Sequence, residues 1–389
     1  MKGKQGMVCM GLLLVLSSCH TGKQITASGL QRKDFQTEVN GQHTDLFTLS
    51  NKQGMEVCIT NYGARVVSIL VPDRNGKRED VVCGFSTITE YMEQRQNFGS
   101  TVGRYIGRIL NARFTLDGVE YKLVPNNGKS GHISHGGNPG FADRIWKVEQ
   151  ADTHRVRLSY LSPDGENGFP GNLKVTLVYS LGEDDNALDL TYEATTDAPT
   201  VLNLSHHSFF NISGNFTKSV EDQQLWVDAD RFTPYDDKKC VTGEYLQVAG
   251  TPLDFRMPHA IGECIDADHP QLKVVNGYDH TWELNTKGDD TRPAAWVYDP
   301  ASGRKMEIFT TEPGMQIYTG NGLKGNVSKR CIFKIAPTSP DFLVLYSVRE
   351  RSFVVIRFIS LNNWCIRQLA DVPISGAIYA HTVIGILVN

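Results

Sequence analysis

The sequence has no pair of cysteines at the C-x-x-C spacing, although it contains eight cysteines in 389 residues. Six of them follow the N-terminal segment and are scattered singly along the chain: Cys58, Cys83, Cys240, Cys264, Cys331 and Cys365. Without clustered ligands, a structural metal site is not expected. Cysteines in apolar runs such as EVCIT and DVVCGF are expected to be buried thiols, and the pattern does not settle any disulfide pairing.

The sequence also has no excess of positive charge, no long apolar run and little helical periodicity. The net charge is −4, so no nucleic-acid footprint is expected. The N-terminal apolar run spans residues 7–16, which is too short to cross a bilayer comfortably. No repeat of fixed period occurs, whereas glycine is frequent at 36 residues. This composition favours many strands joined by turns.

The N-terminus carries an export pattern. Lys2 and Lys4 precede the apolar run, and small residues follow it up to Cys19. The tetrad at 16–19, LSSC, resembles a bacterial lipobox. Residues 1–19 are therefore predicted to be a lipoprotein-type signal with lipidation at Cys19, and residues 20–33 to be a polar tether. The alternative is an ordinary cleaved signal with an incidental cysteine; either reading predicts an exported protein of the cell envelope or periplasm.

Short alternating segments dominate from Asp34 onward. Residues 43–76 read as three strands separated by turns, and Asp117-Gly118 lies between two alternating runs, which is a hairpin signal. Residues 156–181 give two strands around a loop rich in glycine and proline. The sequence predicts an all-β protein with very little helix, in which residues 34–321 form one large antiparallel β-sandwich.

The last 68 residues differ from this body in composition. Residues 322–389 hold eight Lys and Arg against three acids, so residues 1–321 carry a net −9. The same segment contains the apolar stretch DFLVLYSVRERSFVVIRFISL, which has few turn residues. The segment is therefore treated as a separate, atypical tail.

Two adjacent histidines, His206 and His207, stand in the apolar run TVLNLSHHSFFNISG. Neighbouring side chains of a strand point to opposite faces, so only one of these rings can face a given pocket. Most buried histidines are hydrogen-bonded core residues, and the pair alone does not indicate a site.

Three other stretches bring further polar groups into consideration. His135 precedes paired glycines, where bare backbone permits the close approach of a ligand. Asp279 lies beside His280 in NGYDHTW, and Arg104 and Arg108 stand four residues apart. Imidazoles, a carboxylate and a guanidinium without metal-ligand spacing favour a polar, neutral substrate rich in hydroxyls, such as a hexose.

Eight short segments, in order between residues 61 and 321, resemble the aldose 1-epimerase (galactose mutarotase) family. They are NYGARVVSILVPDRNGKREDVVCGF, GRYIGRILNARFTLDGVEYKL, HGG, SPDGENGFPGNLKVTLVYSL, TDAPTVLNLSHHSFFNISG, VTGEYLQVAGTPLDFRMPHAIG, GYDH and TTEPGMQIYTGN. The resemblance implies a galactose mutarotase-like β-supersandwich, a monomer without cofactor or metal, and interconversion of the α and β anomers of free sugars.

The resemblance also implies roles for single residues. His207 falls on the family's acid toward the ring oxygen, while His206 stands where the family more often has Asn and is taken as structural. The predicted sugar-binding residues are Arg108, His135, Ser208, Asp279 and Gln316. Two positions depart from the family pattern, because Gly107 replaces an Asn and Phe209 replaces a Tyr.

The resemblance ends after Asn321. The family's base is a Glu on a strand that should fall near position 344, where this chain reads DFLVLYSV. Glu350 and Asp341 are the nearby carboxylates that could substitute. A slipped reading frame, a divergent tail and a lost catalytic function each explain the change; its abruptness favours the first.

The rival functions are a sugar-binding lipoprotein without a base and, more weakly, an epimerase of phosphorylated hexoses, for which no additional basic cluster is evident.

Overall fold

The computed structural model describes residues 25–323, 343–348 and 378–388, and two short α-helices and 27 strands lie there. The helices are α1 (Ile88–Gln94) and α2 (Pro270–Val275). The first nine strands are β1 (Glu38–Val39), β2 (Gln42–His43), β3 (Leu46–Ser50), β4 (Glu56–Thr60), β5 (Arg65–Pro72), β6 (Arg78–Asp80), β7 (Ser100–Val102), β8 (Arg108–Ile109) and β9 (Arg113–Leu116). The next nine are β10 (Val119–Lys122), β11 (Ile133–Ser134), β12 (Lys147–Ala151), β13 (Arg155–Ser162), β14 (Leu173–Leu181), β15 (Ala187–Thr196), β16 (Ser205–His207), β17 (Phe209–Phe210) and β18 (Gln224–Val227). The remaining strands are β19 (Arg231–Thr233), β20 (Leu246–Gln247), β21 (His259–Ala260), β22 (Asp279–Glu283), β23 (Ala295–Tyr298), β24 (Arg304–Thr310), β25 (Gly314–Tyr318), β26 (Leu343–Val348) and β27 (Ile378–Val388).

Three larger sheets organise these strands, and every strand pair in them is antiparallel. The first has nine strands in the order β12-β13-β14-β15-β27-β24-β23-β18-β21. The second has six in the order β17-β26-β25-β22-β19-β20, and the third has four, β3-β4-β5-β6. The prediction of an all-β protein with little helix is confirmed, whereas the sandwich arrangement stays a prediction.

Local turn chemistry explains why several strands lie where the sequence predicts them. Asp117 and Gly118 both have positive φ, +50° and +77°, as a two-residue hairpin turn requires. The flanking strands β9 and β10 pair with Leu116 opposite Val119. Strands β3, β4 and β5 form the predicted meander, and β13 and β14 flank the loop rich in glycine and proline.

One apolar core is shared by all three larger sheets. Val57 of the four-stranded sheet, Leu177 of the nine-stranded sheet and Trp282 of the six-stranded sheet belong to the same cluster of buried side chains. In the nine-stranded sheet, β14 and β15 alternate buried and more exposed positions along most of their length. This alternation is typical of a sheet with one face on the core and one toward solvent.

Residues 25–35 pack against the body. Leu30 and Phe35 are buried, and the carboxylate of Glu56 accepts hydrogen bonds from the backbone N–H groups of Ala27 and Ser28 at 3.0 and 3.1 Å. The described part of the predicted tether is therefore attached to the β-structure. The predicted signal, Cys19 and residues 20–24 lie outside the described residues. No helix within the described residues is long and apolar enough to cross a membrane.

Two strands of the C-terminal segment take interior positions in the sheets. β26 lies between β17 and β25, and β27 lies between β15 and β24 in the nine-stranded sheet. Each of these two strands therefore has a hydrogen-bonded neighbour on both sides. The compositional change at residue 322 marks no structural boundary between the sheets and these two strands. Asp341 and Glu350 lie outside the described residues.

Candidate active site

A cavity of about 260 Å³ opens beside the six-stranded sheet, slightly below the roughly 300–1,000 Å³ of typical small-molecule pockets. Its wall comes from β8, β16, β17, β22 and β25, and from the loops after α1, β11 and β19. The lining residues are Gln96, Asn97, Gly107, Arg108, Ser134, His135, His207, Phe209, Tyr235, Lys239, Cys240, Val241, Asp279, Tyr318, Gly322 and Leu323. Four predicted site residues therefore meet in one cavity: Arg108, His135, His207 and Asp279.

His135 is fixed by the backbone of Gly107. Its N–H donates to the Gly107 carbonyl at 2.8 Å, and its ring Nδ1 accepts from the Gly107 N–H at 3.2 Å. Because Nδ1 is an acceptor, the neutral ring carries its proton on Nε2. The residue has a φ of +53°, a sparsely populated region for a non-glycine residue and one that recurs at functional sites.

The glycines after His135 lie close to other parts of the protein. A Cβ on Gly136 would lie 1.9 Å from the Gly103 carbonyl oxygen, and one on Gly137 would lie 2.6 Å from the Asn167 side chain. The close approach of a ligand at these glycines stays a prediction. The glycines shape the loop that carries His135.

The two adjacent histidines point in different directions, as strand alternation predicts. His207 lines the cavity, where its ring meets the His135 ring edge to face with centroids 5.5 Å apart. His206 is buried on the other side, with Nε2 2.6 Å from the Ser208 hydroxyl and Nδ1 3.3 Å from the Tyr179 hydroxyl. Ser208 itself is fully buried and is not among the residues that line the cavity.

Burial keeps these imidazoles neutral. It lowers the pKa of His207 to about 4, with the positive charge of Arg65 acting in the same direction. It lowers the pKa of His135 well below its ordinary value, reinforced by His207 and Arg108. Both rings in the cavity are therefore uncharged at neutral pH. A neutral imidazole donates a hydrogen bond through one nitrogen and accepts one through the other, and in His135 the accepting nitrogen is the one bonded to the Gly107 N–H.

Asp279 supplies a carboxylate to the cavity wall. Burial raises its pKa, while the Arg108 charge, a hydrogen bond from Gln316 and the Lys239 charge oppose that rise. The Gln316 amide donates to Asp279 Oδ1 at 2.7 Å and lies 3.4 Å from the Tyr235 hydroxyl, and its oxygen accepts from the Thr281 hydroxyl. Gln316 is buried and lies behind Asp279, where it holds the carboxylate in place.

The two arginines of GRYIGR have separate surroundings. Arg108 lines the cavity and donates to the Lys239 carbonyl at 3.0 Å. Arg104 is buried and hydrogen-bonds Ser162, Thr200 and backbone carbonyls at 162, 163, 170 and 171. Arg104 therefore braces the fold, and Arg108 is the guanidinium available to a ligand.

Strand β26 passes the place where the resemblance puts a carboxylate. In register, Val344 is opposite Phe209 of β17 and Tyr318 of β25, and both of these residues line the cavity. The six residues of β26 read LVLYSV. Within the described residues, Asp279 is thus the carboxylate in the cavity wall. No group of three or more potential metal ligands occurs in the same described parts of the chain.

Sequence reasoning did not single out several residues of the wall. Tyr235, Lys239 and Tyr318 line the cavity, as do Gln96 and Asn97. Tyr235 and Lys239 lie in the loop after β19, Tyr318 ends β25, and Gln96 and Asn97 follow α1. No local sequence motif predicts that these residues line a cavity. The Phe209 substitution noted in the sequence does fall in the wall.

The fold and the cavity define an all-β protein with a small polar pocket that holds paired neutral imidazoles, a carboxylate and a guanidinium. A family profile described as "Aldose 1-epimerase" matches residues 45–342. The chain belongs to the aldose 1-epimerase family, and this assignment supports an enzyme of that type.

Similar proteins agree with the family assignment. The chain is 38% identical to the galactose mutarotase of Sus scrofa over 281 residues, which covers 72% of this chain and 79% of the relative. It is 36% identical to the aldose 1-epimerase of Escherichia coli over 290 residues, covering 75% and 82%.

Solved structures of the family resemble the fold. An aldose epimerase homologue from C. elegans has a TM-score of 0.76 at 26% identity, covering 89% of this chain and 99% of the other. A galactose 1-epimerase from Lactobacillus acidophilus has a TM-score of 0.74 at 25% identity, covering 90% and 97%.

Proposed function

We propose that this protein interconverts the α and β anomers of free hexoses, galactose and glucose among them, by acid–base opening of the sugar ring. The observation that carries the proposal is the cavity itself. His135 and His207 stand ring to ring there with Asp279 and Arg108, in a space of about 260 Å³. Two relatives that support it are named galactose mutarotase and aldose 1-epimerase.

In the proposed reaction, a base removes the proton of the C1 hydroxyl while an acid gives a proton to the ring oxygen. The C1–O5 bond breaks and C1 becomes an aldehyde carbon. Rotation about C1–C2 presents the other face, and the reverse transfers close the ring. His207 is proposed as the acid, and the proton comes from its imidazolium form, which a pKa of about 4 makes a minor fraction at neutral pH. His135 hydrogen-bonds the ring oxygen through Nε2–H.

The remaining residues hold the sugar in place. Asp279, kept in position by Gln316, accepts hydrogen bonds from sugar hydroxyls, and Arg108 donates to them. Ser208 hydrogen-bonds the His206 ring and does not line the cavity, so its contact with the sugar stays a prediction. The base toward the C1 hydroxyl is not assigned, because Asp341 and Glu350 lie outside the described residues.

Polarimetry tests the proposal. Freshly dissolved α-D-galactose and α-D-glucose should reach their equilibrium rotation faster with the protein lacking residues 1–19 than in buffer alone. The expected rate should rise in proportion to protein concentration and saturate with sugar. A folded protein that leaves both spontaneous rates unchanged would contradict the proposal.

A second candidate function is sugar binding without catalysis. The observation in its favour is β26, whose backbone passes Phe209 and Tyr318 with no carboxylate among its six residues. Galactose binding in calorimetry, combined with no acceleration in polarimetry, would select this candidate.

We also propose a monomer with the galactose mutarotase-like sandwich architecture, exported and anchored to a bacterial membrane through lipid on Cys19. The support for the anchor is the basic, apolar and small-residue pattern of residues 1–19. In cells, Cys19→Ala should move the protein from the detergent phase to the aqueous phase on phase separation. An unchanged distribution would contradict lipidation at this cysteine.

A further inference from the structure

The charged side chains of the described cavity wall do not balance. Arg108 and Lys239 are the two basic side chains of the described lining, and Asp279 is the carboxylate there. Both cations lie close enough to lower the pKa of Asp279 against the effect of burial. Since the two imidazoles are neutral, an ionised Asp279 leaves the wall with one surplus positive charge.

Lys239 lies in a loop between Tyr235 and Val241 that is closed by hydrogen bonds. Tyr235 and Val241 form an antiparallel bridge, and within the loop Asp236 N–H donates to the Cys240 carbonyl at 2.8 Å. The Asp236 carboxylate accepts from the Lys238 and Cys240 N–H groups at 3.0 and 2.9 Å. Lys239 itself adopts the left-handed conformation, with a φ of +60°.

Contacts at both ends of the loop hold it against the cavity. The side chain of Gln271 in α2 accepts from the Tyr235 N–H at 2.7 Å and donates to the Tyr235 carbonyl at 3.0 Å. On the cavity side, Arg108 donates to the Lys239 carbonyl at 3.0 Å. The two cations are therefore held at one part of the wall, with the exposed lysine side chain toward solvent.

A neutral hexose carries no negative charge to balance this surplus, although its hydroxyls accept hydrogen bonds from a guanidinium. An aldose with a carboxylate supplies a single negative charge. We propose that Lys239, together with Arg108, makes the cavity select aldoses that carry a carboxylate, with hexuronates as the substrate class. This inference rests on the proposed mutarotase function. A phosphate monoester, with a charge of about −1.5 to −2 near neutral pH, exceeds the single surplus.

The test compares D-galacturonate with D-galactose as substrates of the protein lacking residues 1–19. At low salt the wild type is expected to show the higher kcat/KM for galacturonate. Lys239→Gln should lower the galacturonate-to-galactose ratio by about fivefold, the upper range of one exposed ion pair. Raising the salt concentration from about 0.05 to 0.5 M should shrink the wild-type preference, since exposed charges are screened.

The matched control is Lys238→Gln, which removes an exposed lysine next in sequence that does not line the cavity. It should leave the ratio unchanged. Equal ratios in wild type and Lys239→Gln, with galactose turned over, would overturn the inference and leave the mutarotase proposal standing. If neither sugar is turned over, the binding of both sugars is measured by calorimetry. The inference is supported if galacturonate binds more tightly than galactose and Lys239→Gln weakens that preference. It is overturned if the wild type shows no such preference.

Discussion

His207→Ala should lower kcat/KM for mutarotation by a factor of about 10²–10⁴, the usual contribution of a positioned general acid or base. The ring lies in the cavity wall edge to face with His135, and burial lowers its pKa to about 4. Alanine removes the imidazole, so no group remains in that position to protonate the ring oxygen of the sugar. Polarimetry, corrected for the spontaneous rate, measures the loss.

His206→Asn is the matched control for this prediction. It changes the neighbouring residue on the same strand, whose ring points away from the cavity toward Tyr179 and Ser208. The loss of kcat/KM should stay below about tenfold if the strand keeps its place, because no cavity group is removed. Wild-type rates in a folded His207→Ala protein would refute the role assigned to this ring, and equal losses in both variants would indicate a merely structural effect.

Parts of this fold follow from local rules that a sequence displays. The hairpin at Asp117-Gly118 is predictable because those two residue types tolerate the positive φ that its turn needs. The opposite orientations of His206 and His207 follow from the two-residue period of a strand. The grouping of Arg108, His135, His207 and Asp279 came from the family resemblance, and the cavity brings the four together.

Other features depend on contacts between distant segments and leave no local signal. Tyr235 and Lys239 enter the cavity because Gln271 and Arg108 hold their loop, and these partners are 36 and 131 residues away. Gly136 is required because any Cβ there would collide with the Gly103 carbonyl, and that contact is not visible in the sequence. The charge and turn content of residues 322–389 suggested a foreign tail, because composition does not reveal that β27 pairs with both β15 and β24.

Acid should destabilise this protein strongly between about pH 6.5 and pH 4. Burial lowers the pKa of His206 and His280 to about 3 and that of His207 to about 4, and it lowers the pKa of His135 as well. The unfolded chain binds protons on these rings below about pH 6.5, while the folded chain does not. Stability that depends on the neutral rings is therefore fully present above the unfolded pKa and is lost as the pH falls toward the folded values.

The expected effect is large compared with the total stability of a folded domain. At pH 5 His206, His207 and His280 each contribute on the order of 2 kcal/mol of destabilisation, which together is comparable with the roughly 5–15 kcal/mol that keep a protein folded. The Tm should fall by at least about 10 °C between pH 7.5 and pH 5.0 in thermal unfolding experiments. His206→Asn removes one titrating ring and should reduce this fall, whereas replacing the exposed His43 by Gln should not. A Tm that is independent of pH over this range would show that the four rings are not buried in the neutral form, and the proposed chemistry of His207 would then need a different basis.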